Sequence, residues 1–244
     1  MDERIRNTHR EGVGRLLLDL KKKRFKTLQE IDVVKGLFDG ITGKEKYYLI
    51  PQAFLLHEQN LRKDELDRLL ADAGIADAWR WVNKYMESQN IGKIELNELI
   101  SYRNDAAHGA VVDEILGFQE LLELCDFIES LGQALAELVT YRIILQQGST
   151  GQVREIGEIT EWFDRPKAAV AKVRDITLSV KQRIFLASET KAYCQLVIIE
   201  SIQIDDVSQD TVEITTETEV GLKFNANARK GLSLYVEVDK SPEQ

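Results

Sequence analysis

Across residues 44–147 apolar positions recur at three- and four-residue intervals, the spacing of one helix face after another. Ala53, Leu56, Asn60 and Leu61 open the series, followed by Leu66, Leu69 and Leu70. Ala78, Val82, Tyr85 and Met86 make a further stripe, with Trp79 and Trp81 on its flanks as core and rim residues. The longest element is predicted from near Asp113 to about Gln147. There Leu121, Leu124/Cys125, Ile128, Leu131, Leu135, Leu138/Val139 and Arg142 run along one face for roughly eight turns. A helix of that length with shorter partners before it predicts an up-and-down bundle.

The polar, glycine-containing stretch Gln146-Gln-Gly-Ser-Thr-Gly151 ends this pattern. Beyond it the period falls to two and β-branched residues take over. Strands are expected at Arg154–Phe163, Ala168–Asp175, Arg183–Ala187, Tyr193–Asp205, Thr211–Thr216, Glu219–Phe224 and Leu232–Val238. Short strands with frequent turns predict a small antiparallel barrel or sandwich. The fold class is therefore α+β in two domains, helical over 1–147 and β over 152–240, with the joint near 148–151.

Composition narrows the setting. At 244 residues, 43% hydrophobic and 30% charged, the chain reads as one or two globular domains. Its apolar runs are too short and too charged to span a bilayer. Met1-Asp-Glu-Arg-Ile-Arg6 lacks the apolar stretch of a signal peptide, so a cytoplasmic location without membrane attachment is expected. Cys125 and Cys194 stand 69 positions apart with no CxxC, which predicts neither a disulfide framework nor a zinc site. The net charge of −9 speaks against a general nucleic-acid coat, yet residues 1–26 carry nine Lys/Arg against four acids. Lys21, Lys22, Lys23 and Arg24 are the densest part of that strip. Such a run is either a solvated helix face or a docking strip for phosphates.

Most chemical motifs fail. Gly36…Gly40-Ile-Thr-Gly43-Lys44-Glu45 resembles a phosphate loop only distantly, with Phe38 at the first glycine position and Glu45 where a magnesium-binding hydroxyl belongs. No GxGxxG, GxSxG or HExxH occurs, and three histidines (His9, His57, His108) are too few for a histidine metal cluster. His57, beside Leu55 and Leu56, reads as structural. No cofactor is expected.

One stretch survives, Ile94-Glu-Leu-Asn-Glu-Leu-Ile-Ser-Tyr-Arg-Asn-Asp-Ala-Ala-His-Gly109. Leu96, Leu99, Ile100 and Arg103 share a face at i, i+3, i+4 and i+7, so a guanidinium is expected on the core-facing stripe, beside the small Ala106 and Ala107. Asn104 lies four residues before His108, within reach to orient its imidazole. Arg103 and His108 are roughly 140° apart on an ideal helix, so both reach one ligand only if the helix ends or bends near Gly109. Arginine with histidine suits attack of an RNA 2′-hydroxyl on its own phosphodiester, where histidine moves protons and arginine meets phosphorane charge. One chain offers a single such histidine, and a symmetric dimer supplies two. The same pair also reads as a helix cap and a salt-bridge donor.

Tyr-Arg103-Asn104-Asp-Ala-Ala-His108-Gly109, closing one helix before a long apolar one, resembles the signature of the HEPN superfamily (higher eukaryote and prokaryote nucleotide-binding) over about residues 27–147. That resemblance implies a four- or five-helix bundle that dimerises into a metal-independent ribonuclease site, with Arg103, Asn104 and His108 catalytic. It also implies toxin–antitoxin, abortive-infection or antiviral roles, an antitoxin or nucleotidyltransferase partner, and in some members RNA binding without cleavage.

The β half carries a resemblance of its own. Ile156-Gly-Glu-Ile-Thr-Glu-Trp-Phe-Asp-Arg-Pro-Lys-Ala-Ala-Val-Ala-Lys-Val173, Leu178-Ser-Val-Lys-Gln-Arg-Ile-Phe-Leu186, Val197-Ile-Ile-Glu-Ser-Ile-Gln203 and Glu219-Val-Gly-Leu-Lys-Phe224 are similar to the barrel that follows the GTPase domain in elongation factor Tu-like proteins. Lys181-Gln182 replaces the Gly-Asp turn of that pattern, and no GTPase domain precedes the barrel. The resemblance implies a module directed to tRNA or ribosomal RNA; a purely structural barrel is the alternative. The expected activity is thus endoribonucleolytic cleavage of RNA, tRNA or ribosome-associated, by a homodimer, with a non-catalytic RNA- or protein-binding scaffold as the second reading.

Overall fold

A computed structural model describes residues 3–19, 28–42, 48–54, 62–91, 96–108 and 116–238. Among them, six α-helices precede nine strands: α1 (Glu3–Asp19), α2 (Glu30–Thr42), α3 (Lys63–Asp72), α4 (Ala78–Ser88), α5 (Leu96–His108) and α6 (Phe118–Ser149). A 3₁₀ turn spans Pro51–Phe54. Leu56, Asn60, Leu61, His57 and Asp113 lie outside the described residues. The chain divides into two compact units, one holding 1–78 with 93–120 and the other 79–92 with 121–244.

In the first unit α1, α2 and the 3₁₀ turn enclose a small core of Val13, Leu16, Val33, Ile50 and Ala53. Two glycines set how closely they approach. A Cβ at Gly12 would stand 2.0 Å from the Ala53 carbonyl oxygen, and one at Gly36 would stand 2.5 Å from Ile50 Cδ1. His9 is fully buried in this core, where the Ile50 N–H donates to its Nε2 at 2.7 Å. An Nε2 that accepts belongs to a neutral ring protonated at Nδ1, and burial pushes the His9 pKa below its ordinary value.

In the second unit α6 buries Phe127, Leu131, Ala134, Leu138, Tyr141 and Ile144, one residue on each successive turn. Tyr141 stacks on Trp81 of α4 with ring centroids 5.2 Å apart. Within that apolar stripe lies a carboxylate. Glu137 is buried and accepts the Cys194 N–H at 2.8 Å, the Gln195 side-chain amide at 2.8 Å and the Gln133 amide at 3.2 Å.

Six strands close the barrel: β4 (Arg183–Ser188), β9 (Ser233–Glu237), β1 (Val153–Phe163), β2 (Ala168–Val173), β8 (Thr218–Phe224) and β5 (Tyr193–Ile204), with β5 pairing back to β4. Every pairing is antiparallel. The short β6 (Val207–Gln209) extends the far edge of β5, and β3 (Ile176–Ser179) pairs with β7 (Thr211–Ile214). Inward positions alternate along β8 (Val220, Leu222, Phe224) and β2 (Ala169, Ala171, Val173). In β1 the buried residues Val153, Ile156 and Ile159 fall every third position instead. Register shifts at Glu155/Gly157 and Ile159/Glu161 account for this, since each inserted residue resets the alternation. Gly157 is required there: a Cβ would meet the Lys172 carbonyl oxygen at 1.9 Å.

All seven expected strands are present, with ends displaced by one or two residues. β3 and β6 were not expected: β6 has only three residues, and the short Ile176-Thr-Leu-Ser179 alternation of β3 directly follows the strand expected to run to Asp175. The turn at Lys181-Gln182 keeps a glycine-like backbone despite the side chain. Lys181 has φ +71°, its N–H donates to the Ile199 carbonyl at 2.8 Å, and the Ser179 N–H donates to Gln182 Oε1 at 3.0 Å. A left-handed lysine costs about 1 kcal/mol.

Two outcomes are expected. Lys181→Gly raises barrel stability by about 1 kcal/mol, read from the denaturant midpoint of the β signal. The first unit loses stability as pH falls through 6.5, because the unfolded chain takes up a proton that buried His9 does not. Hydrogen exchange in α1 and α2 measures this loss, and His9→Gln, which keeps an acceptor without titrating, flattens the dependence.

Candidate functional site

α5 is built on a short apolar stripe, with Leu96 and Ile100 buried and Leu99 half-buried. Its start is tied to α3 by Asn97, whose Oδ1 accepts the Lys63 N–H at 3.0 Å. That amide is among the donors a helix N-terminus leaves without an intrahelical partner, and Arg62 at the cap position supplies no side-chain bond. Asn97 therefore caps α3 from another helix and anchors α5 against it. Ser101 Oγ donates back to the Asn97 carbonyl at 3.0 Å, and the Tyr102 hydroxyl donates to Glu98 Oε1 at 3.2 Å.

Arg103 continues the stripe by one turn but is exposed, so the expectation of a core-facing guanidinium is corrected. The stripe ends at Ile100, and a guanidinium stays hydrated unless a buried partner compensates for desolvation. Its Nη1 donates to Asn104 Oδ1 at 3.0 Å. The amide thus engages the arginine, an i, i+1 contact that spacing arguments pass over because such neighbours diverge on a helix. Ala106 and Ala107 are exposed beside this pair. His108 is the last residue of α5; its side chain, Gly109 and the strip Lys21, Lys22, Lys23 and Arg24 lie outside the described residues. The structure brings Arg103 and Asn104 together on the surface of one helix, five and four residues before His108.

Among the described residues no group of three or more His, Cys, Asp or Glu could hold a metal ion, and no helix is long and apolar enough to cross a membrane.

Two features escaped the reading by pattern. The first is Glu137. It lies three residues after Ala134 and one before Leu138, a carboxylate inside a buried stripe, and that placement was the available signal. Burial, then the nearby Glu137 charge, pushes the Cys194 thiol up to about 12. The Tyr193 phenol is raised by burial and by the same charge. The second is an open cleft of about 730 Å³ on the barrel, lined by Glu161, Trp162, Phe163 and Asp164 of the β1 end and by Asn227–Lys230. The Trp162 indole N–H donates to Asp164 Oδ1 at 2.7 Å, and exposed Phe163 lines the cleft with Arg229 and Lys230.

A family model described as RiboL-PSP-HEPN matches residues 3–141, more than half of the chain. No curated protein matches. Two solved structures of the C-terminal domain of a Geobacillus thermoleovorans protein described as a U32 peptidase are similar at 12% identity. They cover 33% and 34% of this chain and 96% and 91% of that domain, with TM-scores of 0.29 and 0.30. Neither fold nor activity follows from a likeness of that size.

Arg103→Ala is expected to change folding stability by less than about 0.5 kcal/mol, whereas Ile100→Ala costs about 2–4 kcal/mol. Chemical denaturation followed by helical circular dichroism distinguishes a surface arginine from a structural one.

Proposed function

The chain belongs to the RiboL-PSP-HEPN family, and on that premise we propose that it is a metal-independent endoribonuclease whose catalytic residues are Arg103, Asn104 and His108. The observation that carries the reading is the pair on α5: a guanidinium oriented by an adjacent amide at 3.0 Å, exposed to an incoming phosphate, on the helix that ends at His108.

In this reading neutral His108 takes the proton of a ribose 2′-hydroxyl as its oxygen attacks the neighbouring phosphorus. The bond from phosphorus to the 5′-oxygen breaks, and a protonated His108 from a second copy of the chain delivers a proton to the leaving oxygen. Arg103 meets the charge that gathers on the non-bridging oxygens, where a planar fork of donors matches phosphate geometry. Asn104 fixes the guanidinium. Products carry a 2′,3′-cyclic phosphate and a 5′-hydroxyl.

The basic strip Lys21–Arg24 holds the RNA backbone beyond the reacting nucleotide. The barrel directs the enzyme to tRNA or ribosome-associated RNA, a role supported by the cleft that Phe163, Arg229 and Lys230 line, since single strands are held by stacking next to cations. A toxin or antiviral defence role, with cleavage restrained until needed, fits an enzyme that destroys cellular RNA.

Purified protein incubated with total RNA in EDTA is expected to leave cyclic phosphate ends. His108→Ala lowers that cleavage by about 10²–10⁴-fold, and Arg103→Ala by about 10²–10³-fold. Undiminished cleavage by His108→Ala overturns the assignment. RNA binding by a wild-type chain that cleaves nothing favours the scaffold reading instead.

A further inference from the structure

The two walls of the barrel cleft carry opposite charge. One is the end of β1 with the turn after it, bearing Glu161 and Asp164; the other is the loop between β8 and β9, bearing Arg229 and Lys230. Phe163, on the acidic wall, is 48% exposed.

Both walls are fixed from behind. Trp162 packs against the barrel core, and its indole N–H holds Asp164 Oδ1 at 2.7 Å. An exposed carboxylate is thereby given a set position, with lone pairs to spare. The loop is tied through its backbone. The Asn225 N–H donates to the Ile198 carbonyl at 3.2 Å, and the Gly231 N–H donates to the Ile159 carbonyl at 2.7 Å. The Asn227 carbonyl accepts the Tyr193 hydroxyl, and the Lys230 carbonyl accepts Lys191 Nζ. The cationic side chains carried on this backbone are left over. Among the described residues neither Arg229 nor Lys230 has an ion-pair partner.

A polyanion lying along the cleft would meet carboxylates on one wall. The arrangement instead suits a ligand with an anionic end, a flat body that stacks, and N–H donors at the other end. A nucleotide has these parts in this order, and about 730 Å³ is ample for one.

We infer that the cleft seats one unpaired nucleotide and prefers guanine, with the base on Phe163, the phosphate on Arg229 and Lys230, and the N1–H and N2–H₂ donors on Asp164. Guanine presents those two donors side by side, and a carboxylate accepts them in parallel. Uracil offers a single N–H between two carbonyl oxygens that a carboxylate repels. Adenine and cytosine offer one amino group beside an acceptor nitrogen. This preference deepens the proposed targeting role of the barrel and rests on the reading of the chain as RNA-directed.

Guanosine 5′-monophosphate contains no phosphodiester to cleave, so its binding to the full wild-type chain is read apart from nuclease activity. Titration followed by the amide resonances of labelled protein is expected to shift Asp164, Asn227 and Lys230. Uridine 5′-monophosphate binds about tenfold more weakly. Asp164→Asn keeps an acceptor for Trp162 and removes the charge; it costs the guanine nucleotide about tenfold, leaves the uridine nucleotide unchanged, and so erases the preference. Phe163→Ala weakens both about tenfold, and Lys230→Gln weakens both about threefold. No shift at about 10 mM guanosine 5′-monophosphate overturns the proposal. Equal affinity for the two nucleotides overturns it too, and so do shifts confined to the neighbourhood of Arg103 on α5. A peptide with a basic side chain and a free terminal carboxylate that shifts these amides where the nucleotide does not makes the cleft a protein-binding site, and the proposal falls. RNA cleaved by a chain that does not seat the nucleotide leaves the nuclease assignment standing alone. A seated nucleotide with RNA left intact does the reverse.

Discussion

The carboxylate of Glu137 constrains the second unit more than any other group. Taking an ionised carboxylate out of water costs several kcal/mol unless hydrogen bonds replace its hydration. Here the replacements come from the first residues of β5, through the Cys194 N–H and the Gln195 amide, and from Gln133 one turn earlier on α6. A charge so held admits little sliding between helix and strand, because displacement by even one residue strands both the carboxylate and the strand's N–H. Around that fixed point the apolar stripe of α6 and the Trp81–Tyr141 stack add burial without having to supply direction. Its field also reaches Tyr193 and Cys194, whose side chains are held neutral.

The first unit solves the same problem with less material. Its core has few large residues, so close approach substitutes for bulk: Gly12 and Gly36 let the 3₁₀ turn lie against α1 and α2, and His9 satisfies a buried N–H that would otherwise be orphaned. α5 joins through Asn97, which caps α3 across space. The candidate catalytic pair therefore stands on a helix located by a polar contact at its start and by Leu96 and Ile100 on one side, while its other side is left to solvent. A site that must admit a phosphate benefits from that asymmetry, since an arginine sealed in the core would need a permanent counter-charge.

Much of this was legible in the residues. The change of period after Gly151 marked the passage from helix to strand within a few residues, α6 ending at Ser149 and β1 beginning at Val153. Long strands with alternating burial announced themselves, and so did the helical family, through Arg103, Asn104 and His108 at their characteristic spacing. Hidden were features that depend on contact. Glu137 drew no attention in the sequence, since the β5 groups that bond it are 57 and 58 residues away along the chain. Arg103 looked core-facing because periodicity says which residues share a face and not how far along the helix that face remains covered. In β1 the two bulges broke the alternation that identifies a strand's inner side, and only the paired register explains them. The lysine at 181 hides a left-handed turn for a similar reason: side-chain identity gives a preference for backbone conformation, and the surrounding hydrogen bonds overrule it.

The position of Glu137 also bears on how such a chain can be inherited. The visible border between helical and β sequence lies at 148–151, and a gene exchange at that point moves every strand of the barrel. It would leave behind the acid that the β5 entrance binds, and the recipient helix would have to offer a carboxylate eleven residues upstream of the seam. The transferable module is therefore the barrel together with the C-terminal turns of α6. In descent, position 137 should travel with position 195 rather than with the motif on α5.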